Sequence, residues 1–345
     1  VSTVLRTKTE SAPPATATLN APERSQPLAG LYAPIAAEMA EVERRLREEM
    51  RSEFPYVDEL VRYGVMLGGK RLRPALLFLA AKACGQVTSA HYTLATVVEM
   101  IHTATLVHDD VLDEAALRRH LATVNARWDN EASILLGDFL FSHAFCLAAT
   151  VDAGACRQIG RATNIVCEGE LRQKGSRGRF ALPEPEYFGI IDAKTAELTA
   201  CSCRLGAQYA GATEVQVEAL ASFGRDLGIA FQIADDLLDL QGQEQVTGKS
   251  LGTDLDKQKP TLPVIHALAH ATPADQAAML DLLSSDQPRV GDLRPWLLRY
   301  DSLAYAQGQA QRFLKRAVAQ LDHLPPSPCR DVLALTADFV LTRSA

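Results

Sequence analysis

The stretch HYTLATVVEMIHTATLVHDD, residues 91–110, decides the fold. It is apolar almost all round, contains neither Gly nor Pro, and ends on two adjacent aspartates. A helix at a protein surface keeps a polar face, whereas one that is apolar on every side has to be enclosed by others. The first expectation is therefore a buried central helix with an acidic end.

Working outward, the same character recurs in SILLGDFLFSHAFCLAAT, RATNIVCEGELRQ, PEYFGIIDAKTAELTACSCRLGAQYA and VQVEALASFGRDLGIAFQIADDLLDL. Ile35, Met39, Val42 and Leu46 repeat at helical spacing between charges, and LLFLAAKA follows Pro74, which suits a first helical turn. No alternating strand pattern, Asn-Gly or Asp-Gly hairpin, or fixed repeat is seen. Hydrophobic residues make up 47% but aromatics only 6%, so the core is built from Ala, Leu, Val and Ile. These features predict one all-α domain over residues 31–345, a bundle of about ten or more helices around a central apolar cavity.

Residues 1–30 are polar and Pro-rich without periodicity, and read as a disordered tail with no secretory apolar stretch. No run of about 18 apolar residues is present, so no membrane span is expected. The net charge of -7 excludes a general attraction to nucleic acid or anionic lipid. Cys84, Cys146, Cys156, Cys167, Cys201, Cys203 and Cys329 are scattered and form no CxxC, which fits reduced thiols and a cytoplasmic setting.

The chemistry is signalled by two short clusters, Asp109-Asp110-Val-Leu-Asp113 and Asp235-Asp236-Leu-Leu-Asp239, each ending a long apolar helix. Positions i, i+1 and i+4 form one patch about a helical turn long. One such patch reads as a solvated helix end. Two of them, each followed by spaced cations, read as paired sites for Mg²⁺, whose hard oxygen ligands bridge carboxylate to phosphate. The cations are Lys70, Arg71 and Arg73 behind Gly68-Gly69, then Arg118-Arg119, Lys194, Lys249 and Lys259. The glycine pair suits close approach to a phosphate.

In GGKRLRP, EMIHTATLVHDDVLDEAALRR, ILLGDFLFSHAF, EGELRQ, KTAEL, FQIADDLLDL and GKSLGTDLDKQKPTLPVI, the chain resembles the trans-isoprenyl diphosphate synthase (polyprenyl synthetase) family. The likeness runs from about Leu31 to the C-terminus and is nearest to the long-chain bacterial members. It implies the isoprenoid synthase fold, a homodimer, and head-to-tail condensation of isopentenyl diphosphate with an allylic diphosphate. Lys70, Arg73, His102 and Arg119 would bind isopentenyl diphosphate. Asp109, Asp110, Asp113, Asp235 and Asp239 would hold about three Mg²⁺ ions per site, with Asp236 acting through a water or hydrogen bond. Arg118, Lys194, Thr195, Gln232, Lys249 and Lys259 would face the allylic diphosphate or its carbocation. His120 and Gln258 stand where the family usually has Gly, which puts local loop geometry in question.

A growing hydrocarbon would run back along the helix before Asp109, past Ala104, Thr105 and Ile101, with Phe145 as a further wall. Ala104 and Thr105 are small where short-chain relatives carry aromatics, and one turn of about 5.4 Å matches roughly one isoprene unit. A long-chain product follows, with geranylgeranyl diphosphate as the competitor. A class I terpene cyclase fits less well, because it needs no second diphosphate site. A subunit of a heterodimeric synthase is the remaining rival. Membrane contact is expected to be transient at most.

Overall fold

The computed structural model describes residues 30–241, 252–285 and 290–342. The expected tail, apart from Gly30, and Lys249 lie outside these residues. In chain order the helices are α1 (Ala36–Glu49), α2 (Pro55–Met66), α3 (Leu72–Cys84), α4 (Ser89–Leu112), α5 (Val124–Arg127), α6 (Asn130–Val151), α7 (Ala153–Ser176) and α8 (Glu184–Ile191). They continue as α9 (Glu197–Tyr209), α10 (Glu214–Gln241), α11 (Thr253–Asp256), α12 (Leu262–His270), α13 (Pro273–Leu283), α14 (Val290–Arg299), α15 (Ser302–Gln320) and α16 (Pro328–Thr342).

Helix α4 is the buried axis that its composition predicts. Thr88 and His91 form a capping box at its start, and Asp113 closes its end. Leu94, Ala95, Val97, Val98, Met100, Ile101 and Ala104 have no exposed surface. Helix α6 lies along one side of α4 and α3 along another, while α9, α10 and α15 complete the far side of the bundle. One apolar cluster runs through the described residues from Ile35 to Val340.

The all-α reading holds, with one short non-helical element beside it. Leu117–Arg118 and Leu121–Ala122 form a short antiparallel hairpin, β1 and β2, with Arg118 opposite Leu121. Both turn residues, Arg119 and His120, have positive φ (53° and 65°), as a tight two-residue hairpin requires. The turn is absent from a sequence reading because Arg-His carries none of the usual Asn-Gly signal.

A single π-helical turn, Asp192–Ala196, joins α8 to α9 and carries Lys194 and Thr195. It is clamped between two helices that come unusually close. A Cβ on Gly169 of α7 would lie 2.5 Å from the Lys194 nitrogen, and one on Gly228 of α10 would lie 2.6 Å from the Ala196 Cα. Only glycine permits both approaches.

Candidate active site

Asp109, Asp110 and Asp113 end α4 and are held by side-chain cations. Arg118 on β1 grips the buried Asp110 carboxylate with Nε 3.0 Å from both oxygens and Nη2 2.8 Å from Oδ1. Arg177, which caps α7, and Lys259 take the two oxygens of Asp113 at 2.8 and 2.6 Å. Lys194 reaches Glu170 at 2.6 Å, the Gln173 carbonyl at 3.0 Å and Asp109 at 3.7 Å. Burial pushes the Asp110 carboxyl up despite Arg118. Burial opposes ionisation of Asp113 as well, but there Lys259, Lys194 and Arg177 prevail and hold it below the ordinary range. Burial works against the Lys194 ammonium, and Asp109 and Glu170 outweigh it, so its pKa rises.

The second cluster, at the end of α10, is satisfied differently. Asp239 caps α11: Thr253 donates its amide at 3.1 Å and its hydroxyl at 2.8 Å, and Asp254 donates its amide at 3.1 Å. Asp236 is buried and accepts from the Tyr187 hydroxyl at 2.7 Å and the Gln232 amide at 2.9 Å. Burial, reinforced by Asp254, drives the Asp236 carboxyl well up. Asp254 itself is raised to about 6 by burial and the neighbouring Asp239. Asp235 is half-buried.

The two ends converge. Lys259 lies 2.6 Å from Asp113 and 3.9 Å from Asp254, whose amide binds Asp239. Gln173 lines both the cavity containing Gln232, Asp236 and Lys259 and the one containing Asp109, Asp113 and Lys194. Residue Gln258, where the sequence departs from the family, adopts φ 54° and places its carbonyl to accept from Gly178 at 2.8 Å. Both departures, His120 and Gln258, thus keep the left-handed backbone that glycine would adopt. The loops survive with some strain.

The cations expected to bind isopentenyl diphosphate gather at the other side of α4. His102 is pushed well below its usual pKa by burial and then by Arg73, Arg119, Arg118 and Arg71 around it. Arg73 has a buried Nε with no hydrogen-bond partner among the described residues. Lys70 lies 5.2 Å over the Phe339 ring of α16. Arg119 donates to the Leu67 carbonyl at 2.7 Å.

The glycine pair lies against two guanidinium groups. A Cβ on Gly68 would strike the Arg71 guanidinium at 1.9 Å, and one on Gly69 would strike that of Arg119 at 2.2 Å. The glycines make room for guanidinium groups, and Arg71 is spent on Glu43 (2.6 Å) and Glu99 (2.8 Å).

The residues expected to set product length divide. Ala104 and Ile101 are fully buried, so no water-sized space adjoins them, whereas Thr105 and Phe145 are half-buried. Sequence reading gave no role to Glu170, Gln173, Arg177, Tyr187 or Asp254. Glu170 and Gln173 sit in EGELRQ and Arg177 in GSRGR, residues 175–179, so a signal was present. Tyr187, seven residues before Lys194, carried none.

Residues 54–297 match the polyprenyl synthetase family. The chain belongs to that family. Polyprenyl synthetases are prenyltransferases, and this chain is one. It is 37% identical to octaprenyl diphosphate synthase of Escherichia coli over 312 residues, 89% of this chain and 96% of that protein. The structure of a decaprenyl diphosphate synthase from Rhodobacter capsulatus superposes with a TM-score of 0.86 at 38% identity, covering 92% of this chain and 100% of that one. A polyprenyl synthase from Caulobacter crescentus, complexed with calcium and isoprenyl diphosphate, also gives 0.86 at 34% identity, covering 94% and 100%.

Proposed function

We propose that the chain condenses isopentenyl diphosphate with geranyl, farnesyl or geranylgeranyl diphosphate to give a long-chain all-trans polyprenyl diphosphate. The observation that carries this reading is the approach of the two acidic helix ends: Lys259 pairs with Asp113 and lies 3.9 Å from Asp254, whose amide binds Asp239. Relatives that make octaprenyl and decaprenyl diphosphates support the long product.

The donor set fits a hard divalent cation such as Mg²⁺. Asp109 and Asp113 offer carboxylate oxygens whose present partners are flexible cations, which a metal can displace. Asp235 would join them from the second cluster. Asp110, Asp236 and Asp239, with their oxygens engaged by Arg118, by Tyr187 and Gln232, and by the α11 amides, would orient this set rather than supply its first ligands. When bound, Mg²⁺ (about three ions by family likeness) supplies positive charge where the pyrophosphate departs.

The chain's own groups do the rest. Lys194 and Lys259 are positioned to stabilise the leaving pyrophosphate, a role that the family resemblance also gives to Lys249. The unpaired Arg73 Nε and neutral His102, with Lys70 and Arg119, suit the second diphosphate. Thr195 and Gln232 present oxygen atoms to the allylic cation, and the departed pyrophosphate takes the proton. The apolar helices before each cluster exclude water that would quench the cation. The hydrocarbon grows along the Thr105 face of α4, because Ala104 is closed off.

A homodimer is part of this reading. Helix α6 has a mean hydropathy of 1.8 and is long and apolar enough to cross a membrane, yet it packs along α4, and Ile134 and Leu135 remain exposed. A second copy covering that face accounts for its composition. The seven free cysteines suit the reducing cytoplasm.

The test is Mg²⁺-dependent incubation of the purified chain with labelled isopentenyl diphosphate and each primer, followed by product sizing. Products well beyond geranylgeranyl diphosphate are expected. No incorporation, or cyclic hydrocarbon from an allylic diphosphate alone, would overturn the reading.

A further inference from the structure

The buried phenol of Tyr187 has no part in the family likeness as read from the sequence, yet it begins a hydrogen-bond chain that ends at Thr195. Its hydroxyl donates to Asp236 Oδ2 at 2.7 Å. The other oxygen of Asp236, Oδ1, accepts from Gln232 Nε2 at 2.9 Å, and Gln232 Oε1 accepts from the Thr195 hydroxyl at 2.8 Å. Tyr187, Gln232 and Asp236 line the same cavity. From these contacts, resting on the prenyltransfer reading above, we infer that Tyr187 is a positioning residue that sets the orientation of the Gln232 amide and the Thr195 hydroxyl toward the allylic cation.

The direction of every bond in the chain follows from donor and acceptor capacity. Asp236 Oδ1 accepts from the Gln232 nitrogen, which leaves the Gln232 carbonyl to accept from the Thr195 hydroxyl. Thr195 then spends its only hydrogen on Gln232, which leaves its oxygen lone pairs unspent by that bond. Those lone pairs, and the Gln232 carbonyl, are what a developing carbocation needs nearby. A flipped amide would present its N–H₂ instead and would repel the cation. Tyr187 keeps Asp236 from rotating, because it occupies the oxygen that would otherwise be free to turn toward the cavity. The clamp of the π turn between Gly169 and Gly228 fixes the far end of the chain.

The test uses the purified full chain with Mg²⁺, isopentenyl diphosphate and farnesyl diphosphate. Tyr187→Phe removes one hydroxyl and should lower kcat about tenfold while both KM values stay within about twofold of the parent. Combining it with Thr195→Val should give an enzyme no slower than Thr195→Val alone, since both act through one chain. A kcat unchanged in Tyr187→Phe, or losses that multiply in the double variant, overturns the assignment. Should Tyr187→Phe lose its thermal transition, Asp236→Asn decides. That variant keeps the volume but lets the Gln232 amide turn over, so it should show the same kcat loss at parental KM, and a parental kcat overturns the proposal. A parent chain that elongates no primer sinks both this inference and the function above. An active parent beside an unaffected Tyr187→Phe sinks this one alone.

Discussion

Two helix ends carry the same five-residue pattern and live in different surroundings. In the first, Asp109 and Asp113 are neutralised by the tips of Arg177, Lys194 and Lys259, flexible cations that an incoming metal or phosphate can displace, while Arg118 holds the buried Asp110. The second, Asp235 to Asp239, is built into the scaffold by backbone amides of α11 and by neutral donors from Tyr187 and Gln232. Identical residues at identical spacing therefore divide the work: one end is set up to exchange partners, the other to hold shape.

That contrast breaks first at the first cluster. Asp109→Asn should cut turnover about a thousandfold, of order 4 kcal/mol of barrier, and leave the thermal midpoint of the free enzyme unchanged. Steady-state incorporation of isopentenyl diphosphate and a melting curve read both, and a normal rate would remove the cluster from the chemistry. One turn back along the same helix, Ala104→Phe and Thr105→Phe should separate packing from product length. Ala104 is fully buried, so its replacement overpacks the core at a cost of about 1–3 kcal/mol. Thr105→Phe should shorten the products at little cost in stability, as chromatographic sizing and a denaturation curve will show. An unchanged product length would move the hydrocarbon away from this face.

At the second cluster the sign reverses. Asp239→Asn puts an amide against the Asp254 N–H and should lose about 1–2 kcal/mol of stability without substrate present. A midpoint as high as that of Asp109→Asn would erase the distinction between the two ends. Asp254 offers a pH test of the same crowding. Its carboxyl is raised to about 6, so the folded state holds its proton more tightly than the unfolded chain does. Stability is then undiminished at pH values below the unfolded carboxylate range, falls as pH climbs toward 6, and stays lower above it. Asp254→Asn should therefore gain on the parent between pH 4 and 7, by about 1 kcal/mol after screening, and gain nothing at pH 4. The smallest effect lies in the loops that follow each cluster. His120→Gly and Gln258→Gly relieve left-handed backbone at 65° and 54° and should each raise stability by about 1 kcal/mol in chemical denaturation. A loss at either position would mean that the side chain contributes more than its strain.

Much of this was legible in the residues. The enclosure of α4 follows from an apolar sequence with no polar face, and the clusters follow from a spacing that puts three carboxylates on one helix end. The hairpin after Asp113 was not legible, because Arg119 and His120 take a turn conformation that their side chains do not advertise. The π turn at Lys194 was not legible either, since it depends on Gly169 and Gly228 arriving from two other helices.

By itself the sequence determined the helical class, the positions of the six aspartates and most of the cations that answer them. These are matters of local periodicity and side-chain chemistry, which neighbours along the chain decide. Only the tertiary structure decided that Lys259 joins Asp113 to Asp254 beside Asp239, that Arg71 is committed to Glu43 and Glu99, that Ala104 is sealed, and that Tyr187 reaches Asp236 across 49 positions of chain. Each of these depends on the distance and burial of groups remote in sequence, and those are fixed by how the helices pack.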